Sequence, residues 1–201
     1  MDPIRPAKVG AAVLAAGRSS RMGRPKALLP YRGRPFLAHV VLSLLEAGIA
    51  PVAVVLAPEA RELAKAIPGD PRVETLENPE PEPAGPIGSL RCAVRALAGR
   101  TDSLFSCLVD HPAVAAATYR LLAEAFARKR PAILVPVHRG RRGHPALFSA
   151  TIYEEILCCA DEGGARNVIA RDPARVMALA VDDPGVLLDV DTPEDFSRLG
   201  D

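Results

Sequence analysis

Positive charge is concentrated directly after the first apolar run of the chain. In the nine residues that follow Gly17, the sequence places four cations, which are Arg18, Arg21, Arg24 and Lys26. Guanidinium groups form paired hydrogen bonds with phosphate oxygens, and an ammonium group adds a mobile positive charge. Glycine also lets backbone N–H groups approach an anion closely. The segment therefore predicts a phosphate-binding loop, with a solvated basic loop as the alternative.

The spacing of this loop differs from two common phosphate-binding motifs. Counted from Gly17, the pattern G-x-x-x-x-G-K-[ST] requires a glycine where the chain has Met22, and Lys26 is followed by Ala27. The loop also lacks the dinucleotide pattern G-x-G-x-x-G. What remains is a pair of glycines, Gly17 and Gly23, with cations between them. We therefore expect phosphate binding of a different type.

Carboxylates at two places in the sequence could hold a metal ion. Asp110 follows the apolar run from Ser103 to Val109, so its carboxylate should emerge at the end of a strand. Asp189 and Asp191 lie on the same side of an extended segment, because side chains alternate along a strand. Magnesium takes one or two carboxylates and completes its shell with phosphate and water. An aspartate that begins a turn and an ordinary acidic strand end are the alternatives.

The residues after Asp191 predict the start of a helix. Thr192 and Asp195 have the three-residue spacing of a capping box, and Pro193 stands at the first helical position. This structural role accounts for Thr192 and Asp195, and it leaves Asp189 and Asp191 as metal candidates.

The elements that must position these residues follow from the apolar pattern. Short apolar runs of strand length are Lys8 to Ala15, Pro51 to Leu56, Val73 to Glu77, Ser103 to Val109 and Ala132 to Val137. Helical periods cover Phe36 to Leu45, Glu59 to Ile67, Ile87 to Leu97 and Thr118 to Lys129. The alternation predicts a mainly parallel sheet with helices on both faces. Such sheets bind ligands at the carboxyl ends of their strands.

Composition sets the broad class. The chain has 201 residues, of which 49% are apolar and 24% charged, and this predicts one globular domain over residues 1–201. A net charge of +1 and 4% aromatic residues do not favour a nucleic acid or a membrane as partner. The four cysteines form no metal or disulfide pattern, and no run reaches transmembrane length, so we expect a cytoplasmic protein.

A proline-rich segment, "ENPEPEPAGP" from Glu77 to Pro86, predicts a stiff, extended loop. A surface connection is favoured over a dedicated lid, because length and proline content do not show movement.

Several of these motifs also occur together in a known family. "LAAGRSSRMGRPKALLP", "LVDHPAV", "GHPALF", "GGAR" and "LDVDTPEDF" stand in the same order as in the MobA-like nucleotidyltransferases. The chain resembles this family, and within it the molybdenum cofactor cytidylyltransferase branch. The resemblance implies a Rossmann-like three-layer α/β sandwich with a mainly parallel central sheet, whose basic loop binds the triphosphate of an NTP.

The resemblance also implies roles for individual residues. Lys26, Arg21 and Asp110 would be catalytic, and Asp110 with Asp189 would hold Mg²⁺. His144 would contact substrate phosphate, or it would only shape the turn after the basic run that ends at Arg142. Nucleotide contacts are implied for Leu14, Ala15, Ala16, Gly17, Arg18, Arg21, Gly23, Lys26, Gly88 and Ser89.

The substrates implied by the resemblance are CTP and the phosphate of molybdopterin, with a molybdoenzyme as the protein that receives the cofactor. Ala16 matches the cytidylyl branch, whereas "GPIGSL" from Gly85 to Leu90 is closer to the guanylyl branch, and "VDHP" departs from both. Guanylyl transfer, another phosphorylated acceptor and a non-catalytic nucleotide-binding cofactor chaperone therefore stay open.

Overall fold

Alternating strands and helices build a sheet with helices on both sides. The computed structural model describes residues 7–17, 25–82 and 84–199. The strands are β1 Val9–Leu14, β2 Pro30–Tyr31, β3 Arg34–Pro35, β4 Val52–Leu56, β5 Val73–Glu77, β6 Ser103–Leu108, β7 Ile133–His138, β8 Arg141–Arg142, β9 Ala146–Ser149 and β10 Val176–Ala180. The α-helices are α1 Phe36–Glu46, α2 Pro86–Leu97, α3 Ala116–Lys129, α4 Tyr153–Cys158, α5 Gly164–Arg171 and α6 Pro193–Arg198.

The main sheet of the described residues has eight strands in the order β10-β7-β9-β6-β1-β4-β5, with β8 paired to the end of β7. β1 runs parallel to β4 and to β6, and the pairs β4–β5 and β7–β10 are also parallel. β9 runs antiparallel to both of its neighbours, β6 and β7. The predicted mainly parallel sheet is therefore confirmed, with one reversed strand in its middle.

The core consists of two apolar layers, one on each face of the sheet. Because side chains alternate along β1, Ala11 and Val13 pack on one side with α1 and α3, while Ala12 and Leu14 pack on the other with α2 and α4. Every residue of β1 is buried, as expected for a strand that is covered on both faces. The resulting three-layer arrangement confirms the Rossmann-like sandwich.

The five predicted strands and three of the four predicted helices are present with small shifts of their ends. The helix predicted from Glu59 to Ile67 is wrong in type, because Pro58–Ala66 forms 3-10 turns that are interrupted by non-helical backbone at Ala60. Among the described side chains of this segment Leu63 is the buried one, so the segment has little packing to stabilise a longer α-helix. Within the described ranges, no helix combines the length and apolar character needed to cross a bilayer.

Candidate nucleotide-binding and catalytic site

A lysine and two aspartates meet at the carboxyl edge of the sheet. Lys26 opens a short 3-10 turn, and Asp110 lies two residues after the end of β6. The Nζ of Lys26 lies 3.4 Å from Oδ2 of Asp110, and it also forms an ion pair with Oδ1 of Asp191. The Lys26 side chain is only 14% exposed, so this charge is held against the protein and does not extend freely into solvent. Residues that are far apart in sequence thus form one charged cluster.

Backbone and side-chain hydrogen bonds fix the acidic C-terminal segment beside this cluster. The Val190 N–H donates to the Asp110 carbonyl at 3.0 Å. Upstream, the buried carboxylate of Asp183 accepts hydrogen bonds from the Thr118 hydroxyl at 2.6 Å and from the Gly185 N–H at 2.9 Å. Two attachments therefore hold the segment that carries Asp189 and Asp191.

The helix start predicted after Asp191 is confirmed. The Asp195 N–H donates to the Thr192 hydroxyl at 3.2 Å, and the Thr192 N–H donates to the Asp195 carboxylate at 3.0 Å. This reciprocal capping box begins α6. It fixes the chain direction immediately after Asp191.

Gly185→Ala should destabilise the protein, because a Cβ at this position would lie 2.3 Å from the Ala113 backbone oxygen. Overpacking against backbone typically costs about 1–3 kcal/mol, and here it would also displace the acidic segment. Urea denaturation should show the loss. Gly69→Ala is the matched control, since nothing lies within 4 Å of its added Cβ. Equal midpoints for the two variants would mean that the backbone at Gly185 adjusts freely.

The carboxylates of Asp110, Asp189 and Asp191 form part of a candidate cation site. Oδ1 of Asp110 is buried and has no hydrogen-bond partner in the structure, so it is available to a cation. No group of three His, Cys, Asp or Glu that could hold a metal ion occurs in the described parts of the chain. Magnesium does not require such a group when phosphate oxygens supply the remaining positions. Asp189 and Asp191 both line the cavity beside Asp110, and Asp191 is the one that contacts Lys26.

A cavity of about 250 Å³ adjoins the cluster, and we call it the nucleotide cavity. It lies between the carboxyl ends of β1 and β6 and the start of α2. Of the residues predicted for nucleotide contact, its lining includes Leu14, Ala16, Gly17, Lys26 and Ser89, together with Asp110. Ala15 is buried against the α1 side of the core, outside this lining. Arg18, Arg21 and Gly23 lie outside the described residues.

Asn78, which no sequence motif indicated, attaches the proline-rich loop to α2. Its buried Nδ2 donates to Oγ of Ser89 at 3.1 Å, and its Oδ1 accepts from the Glu80 N–H at 3.2 Å. Gly88 allows this packing, because a Cβ there would lie 3.0 Å from Cβ of Ala84 and 3.3 Å from Nδ2 of Asn78. Asn78 directly follows β5, and a polar residue at that position was the available signal.

Two histidines lie on the other side of Asp110. The rings of His111 and His144 have centroids 4.7 Å apart and are tilted by 42°. Burial lowers the pKa of His111, and burial together with the neighbouring His111 and Arg166 lowers the pKa of His144 to about 4. Both rings are therefore neutral at pH 7 and can donate or accept a hydrogen bond. The backbone N–H of His144 donates to the Val186 carbonyl at 2.8 Å, which attaches the "GHP" segment to the acidic segment.

Fold and site together define an α/β protein with a cavity of about 250 Å³ and a lysine–carboxylate cluster at the carboxyl edge of its parallel strands. The model of the MobA-like NTP transferase domain matches residues 11–176. The chain belongs to the MobA-like NTP transferase family, which confirms the resemblance seen in the sequence.

Individual relatives show how broad this similarity is. The chain is 28% identical to nicotine blue oxidoreductase of Paenarthrobacter nicotinovorans over 93% of its own length and 94% of the relative. It is 25% identical to molybdenum cofactor cytidylyltransferase of Escherichia coli K12, over 92% and 91% of the two chains. The crystal structure of Rv0371c from Mycobacterium tuberculosis H37Rv is 31% identical with a TM-score of 0.83, covering 97% and 98%, and the same protein has been solved as a complex with manganese.

Proposed function

We propose that the protein is a nucleotidyltransferase that moves a nucleoside monophosphate from CTP to the phosphate of an acceptor, the molybdopterin cofactor, and releases pyrophosphate. The observation that carries the proposal is the contact of Lys26 with Asp110 and Asp191 at the edge of the nucleotide cavity. The similarity to a molybdenum cofactor cytidylyltransferase over 92% of the chain supports the choice of donor and acceptor.

The chemistry requires positioning and charge neutralisation more than proton transfer. An acceptor phosphate oxygen, already anionic near neutral pH, attacks the α-phosphorus, and the bond from the α-phosphorus to the bridging oxygen breaks as pyrophosphate leaves. Lys26, which lines the nucleotide cavity, would neutralise the charge that develops on the leaving group. A protein general base is not needed for this step, because the nucleophile carries no proton that must be removed.

The residues at the edge of the sheet fit a magnesium ion. Asp110, whose buried Oδ1 accepts no hydrogen bond, would be its first ligand, and one carboxylate of the pair Asp189 and Asp191 would be the second. When bound, magnesium supplies positive charge to the phosphates of the donor. Rv0371c, 31% identical to this chain, has been solved as a complex with manganese, which supports the binding of a divalent cation.

The activity test is a pyrophosphate-release screen of the four common NTPs with magnesium, with and without molybdopterin. We expect release that depends on both CTP and the acceptor. Pyrophosphate release that depends on GTP would identify the guanylyl alternative. Binding of an NTP, measured separately, without any release of pyrophosphate would favour a cofactor chaperone. Release without acceptor would indicate hydrolysis and would contradict a transferase.

A redox activity is the second candidate, because the similarity to nicotine blue oxidoreductase covers 93% of the chain. It predicts conversion of nicotine blue in the presence of an electron donor and in the absence of any NTP. An absorbance assay for nicotine blue, run beside the pyrophosphate screen, separates the two candidates.

Base choice should depend on Ala16. Its side chain is only 4% exposed and lines the nucleotide cavity, so its methyl group narrows the space that a purine would need. Ala16→Gly should shift the preference from CTP towards GTP, and a methyl-sized change in a pocket is worth about 1 to 3 kcal/mol. The measurement is the ratio of kcat/KM for CTP over GTP in parent and variant. An unchanged ratio, or a parent that already prefers GTP, would assign base choice to the "GPIGSL" segment at the start of α2.

A further inference from the structure

Among the described residues that line the nucleotide cavity, one side chain is polar without being charged, and it belongs to Ser89. Lys26 and Asp110 are the charged members of this lining, and the others are apolar residues and glycines. Small-molecule cavities fix the orientation of a ligand through a few placed polar groups. With the charged residues assigned to the phosphates, Ser89 is the described side chain left to recognise the rest of the nucleotide.

The hydroxyl group of Ser89 has a proton that is not used within the protein. Its Oγ accepts a hydrogen bond from Nδ2 of Asn78 at 3.1 Å, and the described residues offer no acceptor that this hydroxyl bonds in turn. Ser89 is only 2% exposed, so bulk water does not replace the missing acceptor. A buried donor without an acceptor costs free energy. A proton of this kind in the wall of a cavity points to a ligand atom that accepts it.

The direction of the hydrogen bond to Ser89 is fixed by Asn78. Oδ1 of Asn78 accepts from the Glu80 N–H at 3.2 Å, so the amide NH₂ group must face Ser89. The Asn78 side chain is 3% exposed, and its backbone N–H donates to the Leu56 carbonyl at 2.8 Å. An amide that is held on both sides does not exchange its oxygen and nitrogen. The Ser89 oxygen therefore stays an acceptor towards Asn78, and the hydroxyl proton points elsewhere.

We infer that Asn78 is a positioning residue that makes the Ser89 hydroxyl a hydrogen-bond donor to the nucleoside part of the NTP. The inference rests on the proposed function, because it concerns how the NTP is bound. The matching atom on the nucleoside is an acceptor, either on the edge of the base or on the ribose. A nucleoside that presents only a donor at this place would leave two protons facing each other.

Asn78→Asp reverses the direction of this hydrogen bond and keeps the shape of the side chain. A carboxylate has no proton to donate, so it accepts from the Glu80 N–H and from the Ser89 hydroxyl. Both hydrogen bonds favour its charged form, and the fold should therefore be retained. The hydroxyl proton then points at the carboxylate, and the cavity receives only a lone pair of the Ser89 oxygen.

The test is calorimetric titration of the parent and of Asn78→Asp with CTP and, separately, with inorganic tripolyphosphate, each with magnesium and without acceptor. We expect the affinity for CTP to fall by about tenfold, the scale of one lost hydrogen bond, and the affinity for tripolyphosphate to change by less than about twofold. The matched control is Asn167→Asp, because Asn167 is an exposed asparagine whose Nδ2 donates to the Glu162 carbonyl. This control should bind CTP as the parent does.

Titration with dideoxy-CTP, which lacks both ribose hydroxyls, identifies the accepting part of the nucleoside. The same loss of affinity in Asn78→Asp would place the acceptor on the base, and no further loss would place it on a ribose hydroxyl.

A double-variant cycle with Ser89→Ala separates this role from a general loosening of the cavity. Ser89→Ala alone removes the donor and should weaken CTP binding by a similar factor. The variant with both substitutions should bind CTP no more weakly than Asn78→Asp alone, because in Asn78→Asp the proton is already turned away from the ligand. Independent structural effects would add instead.

Equal loss of affinity for CTP and for tripolyphosphate in Asn78→Asp would overturn the inference, because it would show that the whole cavity is distorted. Parent-like CTP binding in Asn78→Asp would overturn it too, and so would losses that add in the double variant. In each of these results the parent binds CTP, so the proposed function stands. A parent that binds GTP in place of CTP would correct the donor, and the same titrations with GTP would decide the inference. A parent that binds neither nucleotide would contradict the proposed function and the inference together.

Discussion

We expect Asp110→Asn to lower the rate of nucleotidyl transfer by about 10²–10³-fold. This is the size of the effect of removing one preorganised electrostatic contact from an active site. The substitution keeps the shape of the side chain but removes the charge from the unpartnered buried Oδ1. Asp191 still pairs with Lys26, so the fold should be retained. Single-turnover kinetics with CTP and magnesium measure the loss, and urea denaturation should show a change of less than about 1 kcal/mol.

The control for this variant is Asp182→Asn, which removes an exposed carboxylate from the same acidic segment. Turnover equal to that of the parent would remove Asp110 from the site. The same assay on Asp189→Asn and Asp191→Asn identifies the second carboxylate. The resemblance implied Asp189, whereas the contact with Lys26 favours Asp191.

Lys26→Met should have the second large effect. The side chain keeps an unbranched apolar stem, one atom shorter, but loses the charge that lies 3.4 Å from Asp110 and contacts Asp191. Without this charge the two carboxylates face each other uncompensated, and the phosphates of the donor lose their nearest described cation. We expect turnover to fall by about 10²-fold or more and CTP affinity to fall with it.

Stopped-flow measurement of turnover and calorimetric measurement of CTP binding separate these two effects. Lys65→Met serves as the control, because Lys65 is 79% exposed and pairs with Glu62 on the surface. Normal CTP affinity and normal turnover in Lys26→Met would mean that Lys26 only neutralises the aspartates in the folded chain.

The parallel core of the fold could be predicted from sequence because its strands are covered on both faces. Burial on both sides leaves continuous apolar runs such as the one in β1, and the residue after such a run lies at the ligand edge. The placement of Asp110 followed from the same reasoning. The strand β9 could not be recognised, since four buried residues from Ala146 to Ser149 give no length or period that distinguishes strand from helix, and no pattern records direction.

The contacts within the site were also beyond sequence reasoning. Lys26 and Asp191 are 165 positions apart, so their pairing depends on the complete topology. Asn78 and Ser89 form a hydrogen bond between the two ends of the proline-rich loop, and the proline content of that loop predicted only that it is stiff. In both cases the residue types were visible in the sequence, whereas the partner depended on how distant segments pack.

The reversed direction of β9 has a consequence for how acceptor preference can evolve. β7 runs parallel to β10 and antiparallel to β9, so the chain reaches the ligand edge through β7 and leaves it through β9. The intervening residues 139–145 form a short excursion whose two ends are anchored in neighbouring strands and which is attached to the acidic segment by the bond from the backbone N–H of His144 to the Val186 carbonyl. Its exposed residues 139–142 can be lengthened, shortened or exchanged while the bond of His144 to Val186 and the register of β1 with β4 and β6 are kept. Recombination at this one short segment could therefore direct the proposed nucleotidyl transfer to new acceptor molecules.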